Sequence, residues 1–377
     1  MMVLIILIIA LSALVLVLYL YRRRDRAAGY TPYIEGLVAL LEKNDSVAMK
    51  KLQEAVNTDS DLVDAYVRLG DLYRKKGDVS RAIQIHQSLT VRPTLKKHEE
   101  KRIYYALVED LFAMSRHNKA VAFLKEILKI DKKDTRAREL ILKIYEDMES
   151  YGDCIALYEE GHFKKKSDRR HAYYYAALAH NKLRTMPDVE PEEEKEAVNL
   201  LKKALRISPD SLSALYYFGK YYEQKGDLKR AREYYGKIMR LHPQHAFMII
   251  NAFEKVMYEL DLFDEIFPIY EQIFTDDPKN FTVGVALANL YEKKNDKEQM
   301  QEIYRKLTDV FPESILPKLR QIRMSVDDNQ VIDTVIQVER AVYQKNLTCS
   351  NCGHSISKFS LLCPKCGSLE SLLPSLS

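Results

Sequence analysis

A chain of 377 residues with 30% charged and 47% hydrophobic residues carries enough apolar material for a packed globular body of two or more domains. Its 58 basic and 54 acidic side chains leave a net charge of +4, too small and too dispersed for a nucleic-acid footprint. Twelve glycines and twelve prolines are too few for a loop-rich all-β protein, so an all-α body is expected.

The first predicted element is MMVLIILIIALSALVLVLYLY, residues 1–21, with no charge and a single serine. At a rise of about 1.5 Å per residue it is long enough to cross a hydrocarbon core of roughly 30 Å. It has neither the basic start nor the small-residue cleavage site of a secretory signal, so it reads as a retained transmembrane anchor. The basic linker that follows, residues 22–30, contains Arg22, Arg23, Arg24 and Arg26. The positive-inside rule therefore places the rest of the chain in the cytoplasm as the body of a single-pass membrane protein. In that reducing compartment cysteines serve metals rather than disulfides.

Residues 31–314 repeat with a period near 34. VDAYVRLGDLYRKKGDVSRAIQIHQSLTVRP shows Leu69, Gly70 and Tyr73, then Ala82, His86 and Leu89, then Pro93. LSALYYFGKYYEQKGDLKRAREYYGKIMRLHP puts Phe218, Gly219, Tyr222, Ala231, Tyr235, Ile238 and Pro243 at the same offsets. This is the tetratricopeptide (TPR) pattern: small residues let two helices of a hairpin approach, bulky ones fill the space beside them, and proline stops the second helix. Weaker copies bring the expected count to about eight repeats, a helical-hairpin solenoid with a long concave face suited to holding peptides or proteins. Cys154 occupies the small-residue position of the fourth copy and is expected to be packed there.

Within the fifth copy RTMPDVEPEEE, residues 184–194, lengthens the turn and reads as an exposed loop. On the first helix of the sixth, Ser213, Tyr216, Lys220 and Glu223 fall at spacings of three and four and form one stripe. If it faces the concavity, that stripe is a candidate partner-binding surface, set against the alternative of a solvated face. HPQH at 242–245 spans a turn between repeats, where Pro243 already has the role of a helix stop. Residues 315–345 read as closing helices that cap the array.

The last segment, 346–377, holds four of the five cysteines as CSNCGHSISKFSLLCPKC. Cys349 and Cys352, then Cys363 and Cys366, form two CxxC turns that together supply four thiolates to one ion. Gly353 and Gly367 follow the second cysteine of each pair, where a turn requiring positive φ favours glycine. Four soft ligands leave no open position, so the site reads as structural, and the spacing fits one zinc or iron ion equally. His354 is expected to be a loop residue beside a filled shell. No GxxxxGK[ST], HExxH or GxSxG motif occurs, and the reading is non-enzymatic.

Taken in order, the apolar anchor, the TPR array with KGDVSRAIQIHQSL at 76–89, and the terminal CxxC pairs resemble the lipopolysaccharide assembly protein B (LapB, YciM) family along the whole chain. The insertion at 184–194 and the lack of tryptophan after the last knuckle depart from that family's pattern. The resemblance implies a rubredoxin-type, zinc-ribbon-like metal domain behind the solenoid and a place at the bacterial inner membrane. It also implies an adaptor role, presenting the LpxC deacetylase to the FtsH protease for degradation and linking to lipopolysaccharide assembly proteins. The alternative is a generic membrane-tethered TPR scaffold for another cell-envelope or secretion complex.

Overall fold

The computed structural model describes residues 31–93, 95–160, 168–184, 189–325 and 346–374. The expected anchor at 1–21, the linker at 22–30 and the second part of the expected cap, 326–345, lie outside the described residues. Among the described residues no helix is long and apolar enough to cross a membrane. The chain divides into two compact units, one ending at Glu149 and one beginning at Ser150.

The first unit contains α1 (31–41), α2 (Asp45–Thr58), α3 (Val63–Lys75), α4 (Val79–Thr90), α5 (Lys97–Ala113), α6 (His117–Ile130) and α7 (Thr135–Asp147). The second begins with α8 (Tyr151–Glu159), α9 (Asp168–Leu183), α10 (Pro191–Ile207), α11 (Leu212–Gln224) and α12 (Leu228–Leu241). A 3-10 segment, Pro243–Met248, then leads into α13 (Ile250–Glu259), α14 (Ile266–Asp276), α15 (Phe281–Lys293), α16 (Lys297–Val310) and α17 (Ile315–Ser325). Three short strands close the chain: β1 (Leu347–Cys349), β2 (Ser355–Ile356) and β3 (Leu372–Pro374), antiparallel in the order β2-β1-β3.

Helix ends follow a repeated local rule. Asp78, Asp227 and Asp296 each accept a hydrogen bond from the backbone N–H three residues on, satisfying one of the orphan donors of the next helix. Just before each cap the chain takes one left-handed step, at Gly77 (φ 89°), Gly226 (φ 74°) and Asn295 (φ 59°). That step lets the Gly226 and Asp227 N–H groups donate back to Glu223 and Tyr222, which closes the preceding helix. Lys43, Ser115 and Asp261 make the same step without glycine. The turn is thus a property of the hairpin, and the residue occupying it is secondary.

Hairpin packing explains the sixteen-residue offset between small and large positions. A Cβ at Gly219 would lie 2.3 Å from a ring carbon of Tyr235, and one at Gly70 would lie 2.3 Å from His86 Nε2. Glycine is required at both by close approach. On the second helices of the hairpins Leu52, Leu89, Leu124, Leu201 and Leu307 are fully buried, each contributing about 1.5–3 kcal/mol of transfer free energy. In the first unit one aromatic position is polar. His86 is buried with Nδ1 2.6 Å from Asp110 and Nε2 3.1 Å from the Val67 carbonyl, and Arg74 closes on Asp110 at 2.7 Å. Every member of that network has a partner, as a buried polar cluster demands.

The segment at 184–194 is partly helical rather than loop throughout. Pro191 opens α10, and Glu192, Glu193 and Glu194 occupy its first turn, where proline costs no hydrogen bond and acids complement the helix dipole. Glu194 accepts from Tyr221 and Lys225 of the next hairpin, which holds its carboxyl below the usual carboxylate range.

Candidate metal centre

Cys349 ends β1, and Cys363 follows a bridge between Leu362 and Leu369. From each the chain turns back in the same way: Gly353 donates to the Cys349 carbonyl at 2.9 Å and Gly367 to the Cys363 carbonyl at 2.8 Å. Both glycines have positive φ, 67° and 65°, and this conformation returns the second cysteine beside the first. The Cys349 N–H donates to the His354 carbonyl, and the Cys363 N–H likewise to the Ser368 carbonyl. The two knuckles are therefore near-copies of one backbone device.

The four sulfurs all lie within 4.8 Å of one another. Cys349–Cys366 and Cys352–Cys363 are each 3.7 Å apart, far beyond a disulfide bond. An ion bound by four thiolates at about 2.3 Å in tetrahedral geometry has sulfur–sulfur edges of about 3.8 Å. Two of the six edges already match that length and the rest lie within 4.8 Å, so a four-cysteine metal-binding cluster is what the expected ligands form.

Electrostatics point the same way. The Ser371 hydroxyl, 3.2 Å from Cys349 Sγ, pulls that thiol down to about 6. The Asn351 amide, 3.5 Å from Cys366 Sγ, lowers Cys366. The backbone at His354 also draws Cys352 down, but burial and the neighbouring sulfurs outweigh it and push Cys352 up to about 12. Four thiolates crowded together repel one another; a divalent cation removes that opposition. Ser371 and Asn351 escape sequence reasoning, since neither lies in the CxxC spacing. Polar residues inside and just beyond the knuckles were the available signal.

The metal domain belongs to the second unit and is seated on its helices. Leu347, Cys349, Cys363 and Leu372 form a small buried cluster against which Phe247 and Phe359 pack. Phe359 meets Phe247 edge-on at 6.0 Å and Tyr216 at 6.4 Å, while His245 Nε2 reaches the Glu370 carbonyl at 3.1 Å. Burial pushes the Glu370 carboxyl up to about 7, against the pull of Arg169. Of the stripe on α11, Ser213 is fully buried, Tyr216 carries the Phe359 contact, and Glu223 accepts from Tyr235 at 2.6 Å with Lys220 and Lys255 at 4.0 Å. His354 has no place among the clustered ligands. Cys154 is fully buried in α8.

Fold and centre together define a TPR solenoid protein carrying a four-cysteine metal-binding domain, and the tetratricopeptide repeat family matches residues 65–99, 213–245 and 285–314. Two relatives similar over most of the chain share a name. Lipopolysaccharide assembly protein B of Haemophilus influenzae is 24% identical over 342 residues, covering 88% of this chain and 83% of that protein. The protein of the same name from Escherichia coli K12 is 21% identical over 355 residues, covering 91% and 88%. Among solved structures, YrrB, a TPR protein with an unusual peptide-binding site, is 17% identical with a TM-score of 0.32, covering 49% of this chain and 89% of that one.

Proposed function

We propose that this chain is a non-enzymatic adaptor of lipopolysaccharide biosynthesis, held at the inner membrane by residues 1–21 with its body in the cytoplasm. In this reading it presents the LpxC deacetylase to the FtsH protease and links that control to lipopolysaccharide assembly proteins. The observation that carries it is the extent of the likeness to lipopolysaccharide assembly protein B, about nine-tenths of the chain. A solenoid offers surface for a client, and a four-thiolate centre with no open coordination position suits bracing or docking rather than catalysis. A membrane anchor raises the effective concentration of the adaptor around a membrane protease without any new contact.

The test is the half-life of the deacetylase in cells depleted of the native protein. The full chain should restore rapid turnover, while a chain lacking residues 1–21 at native expression should not. Restoration by the anchorless chain would remove local concentration as the mechanism. An unchanged half-life with the full chain, together with other envelope proteins recovered by crosslinking, would move the assignment to a scaffold for another complex.

A further inference from the structure

The first helix of the solenoid has the surface of an interior repeat. The offset from small to large positions aligns Gly36 over Leu52, Gly70 over His86 and Gly219 over Tyr235. Two residues beyond the small position, later hairpins direct their side chain onto the second helix of the preceding one. Leu72 joins the core of α2, Asp110 bonds His86 of α4, and Tyr221 bonds Glu194 of α10. Leu72 is 4% exposed and Asp110 0%, whereas the equivalent Val38 on α1 is 47% exposed. Ile34 at 55% and Leu41 at 84% continue the same face at helical spacing. An end repeat that meets only water is expected to be polar there.

We infer that the Ile34, Val38 and Leu41 face of α1 lies on the membrane surface, its apolar side chains entering the headgroup boundary. The inference rests on the anchor reading above and adds an orientation to it. Nine residues, 22–30, separate the end of the apolar segment from α1, and even fully extended they span about 30 Å. The face is therefore confined within that distance of whatever holds residues 1–21. Four of the nine are arginines, which favour anionic headgroups. On α1 itself Glu35 is paired with Lys51 at 2.7 Å, and in the turn just past it Glu42 is followed by Lys43. A second copy of the chain is the weaker occupant. Three partly exposed aliphatic side chains offer on the order of 100 Å² each at most, against roughly 800 Å² per partner in a stable protein interface. A tethered lipid contact needs no such area.

The absence of tryptophan makes the test direct. Full chains carrying a single reporter, Leu41→Trp, Val91→Trp or Leu11→Trp, are reconstituted into anionic vesicles with or without brominated acyl chains. Val91 is 81% exposed and lies at the end of α4, outside the first hairpin. The position-41 indole should emit at shorter wavelength and lose about half its intensity to brominated lipid, as expected for a side chain about 5–10 Å into the interface, while position 91 stays unquenched. Unquenched, water-like emission at 41 overturns the inference. So does a blue-shifted, unquenched signal that reverts on diluting protein into lipid, which would assign the face to a second copy. An unquenched position 11 would instead sink the anchor reading, and the orientation with it.

Discussion

The TPR body and the metal domain solve the same problem by opposite means. Each hairpin buries a set of aliphatic and aromatic side chains against its neighbours, so stability is spread over dozens of contacts and grows with each repeat. In the C-terminal domain, residues 346–374, the buried apolar side chains are Leu347, Leu361 and Leu372, beside Cys349 and Cys363. A core that small cannot offset the entropy of ordering its chain. One ion must supply what the solenoid gathers from many weak contacts, and the expected responses to damage diverge accordingly.

The largest effect follows from the ion. Binding a structural ion through four thiolates contributes on the order of 10–16 kcal/mol. Cys363→Ser/Cys366→Ser should abolish the stoichiometric zinc or iron found by elemental analysis. Hydrogen exchange should then show the amides of 346–374 unprotected, with those of α3 to α6 unchanged. Full metal content in that variant would remove the site; loss of protection throughout the first unit would show that the two regions are not independently stabilised.

The solenoid counterpart is Gly219→Ala. The new methyl would fall 2.3 Å from the ring of fully buried Tyr235, and overpacking of this severity costs about 3 kcal/mol. Exchange protection should fall in α11 and α12 and in their neighbours, decaying with distance along the array. A thermal midpoint within experimental error of the parent would mean that the hairpin yields, contrary to the close crossing.

These two regions were also unequally legible in the sequence. The solenoid could be read because its contacts are nearest-neighbour: Gly70 and His86, or Gly219 and Tyr235, recur at one offset, and periodicity displays it. The knuckles could be read because four ligands in two turns have one spacing. The seating of one on the other could not. His245 and Glu370 are 125 residues apart, and no repeat or motif pairs them. The stripe on α11 likewise shows helical spacing in sequence, while the neighbours of its members, Phe359 for Tyr216 and Tyr235 for Glu223, come from elsewhere in the fold. Left-handed turns at Lys43, Ser115 and Asp261 were hidden for a different reason, since neighbouring hydrogen bonds impose them on residues that do not advertise them.

The seating carries its own pH dependence. Glu370 has its carboxyl raised by burial to about 7, from about 4.5 in an open chain. A raised acid favours the folded state below the unfolded value and loses that contribution as pH rises through the folded value, here between about 4.5 and 7. Glu370→Gln keeps the neutral form at every pH. Relative to the parent it should stabilise the seated domain by about 3 kcal/mol at pH 8, and by only a few tenths of a kcal/mol near pH 4.5. The comparison of thermal midpoints across that range cancels protonation of the thiolates, which both chains share. A gap independent of pH would assign the effect to shape.

The smallest expected effect separates backbone from packing within one hairpin. Gly226 lies seven residues from Gly219, yet a Cβ there would meet nothing within 4 Å, while its φ is +74°. Gly226→Ala therefore changes only the cost of the left-handed step, about 1 kcal/mol for an alanine. Ser115, exposed and at φ 54°, offers the reverse exchange in the first unit. Ser115→Gly removes that strain but gives the unfolded chain more freedom, so the gain should stay within about 0.5 kcal/mol. Urea unfolding of the two variants should thus shift in opposite directions, the first more than the second. If Gly226→Ala were instead as damaging as Gly219→Ala, the turn would be a packing site after all, and the distinction between a position fixed by close approach and one fixed by conformation would fail for this hairpin.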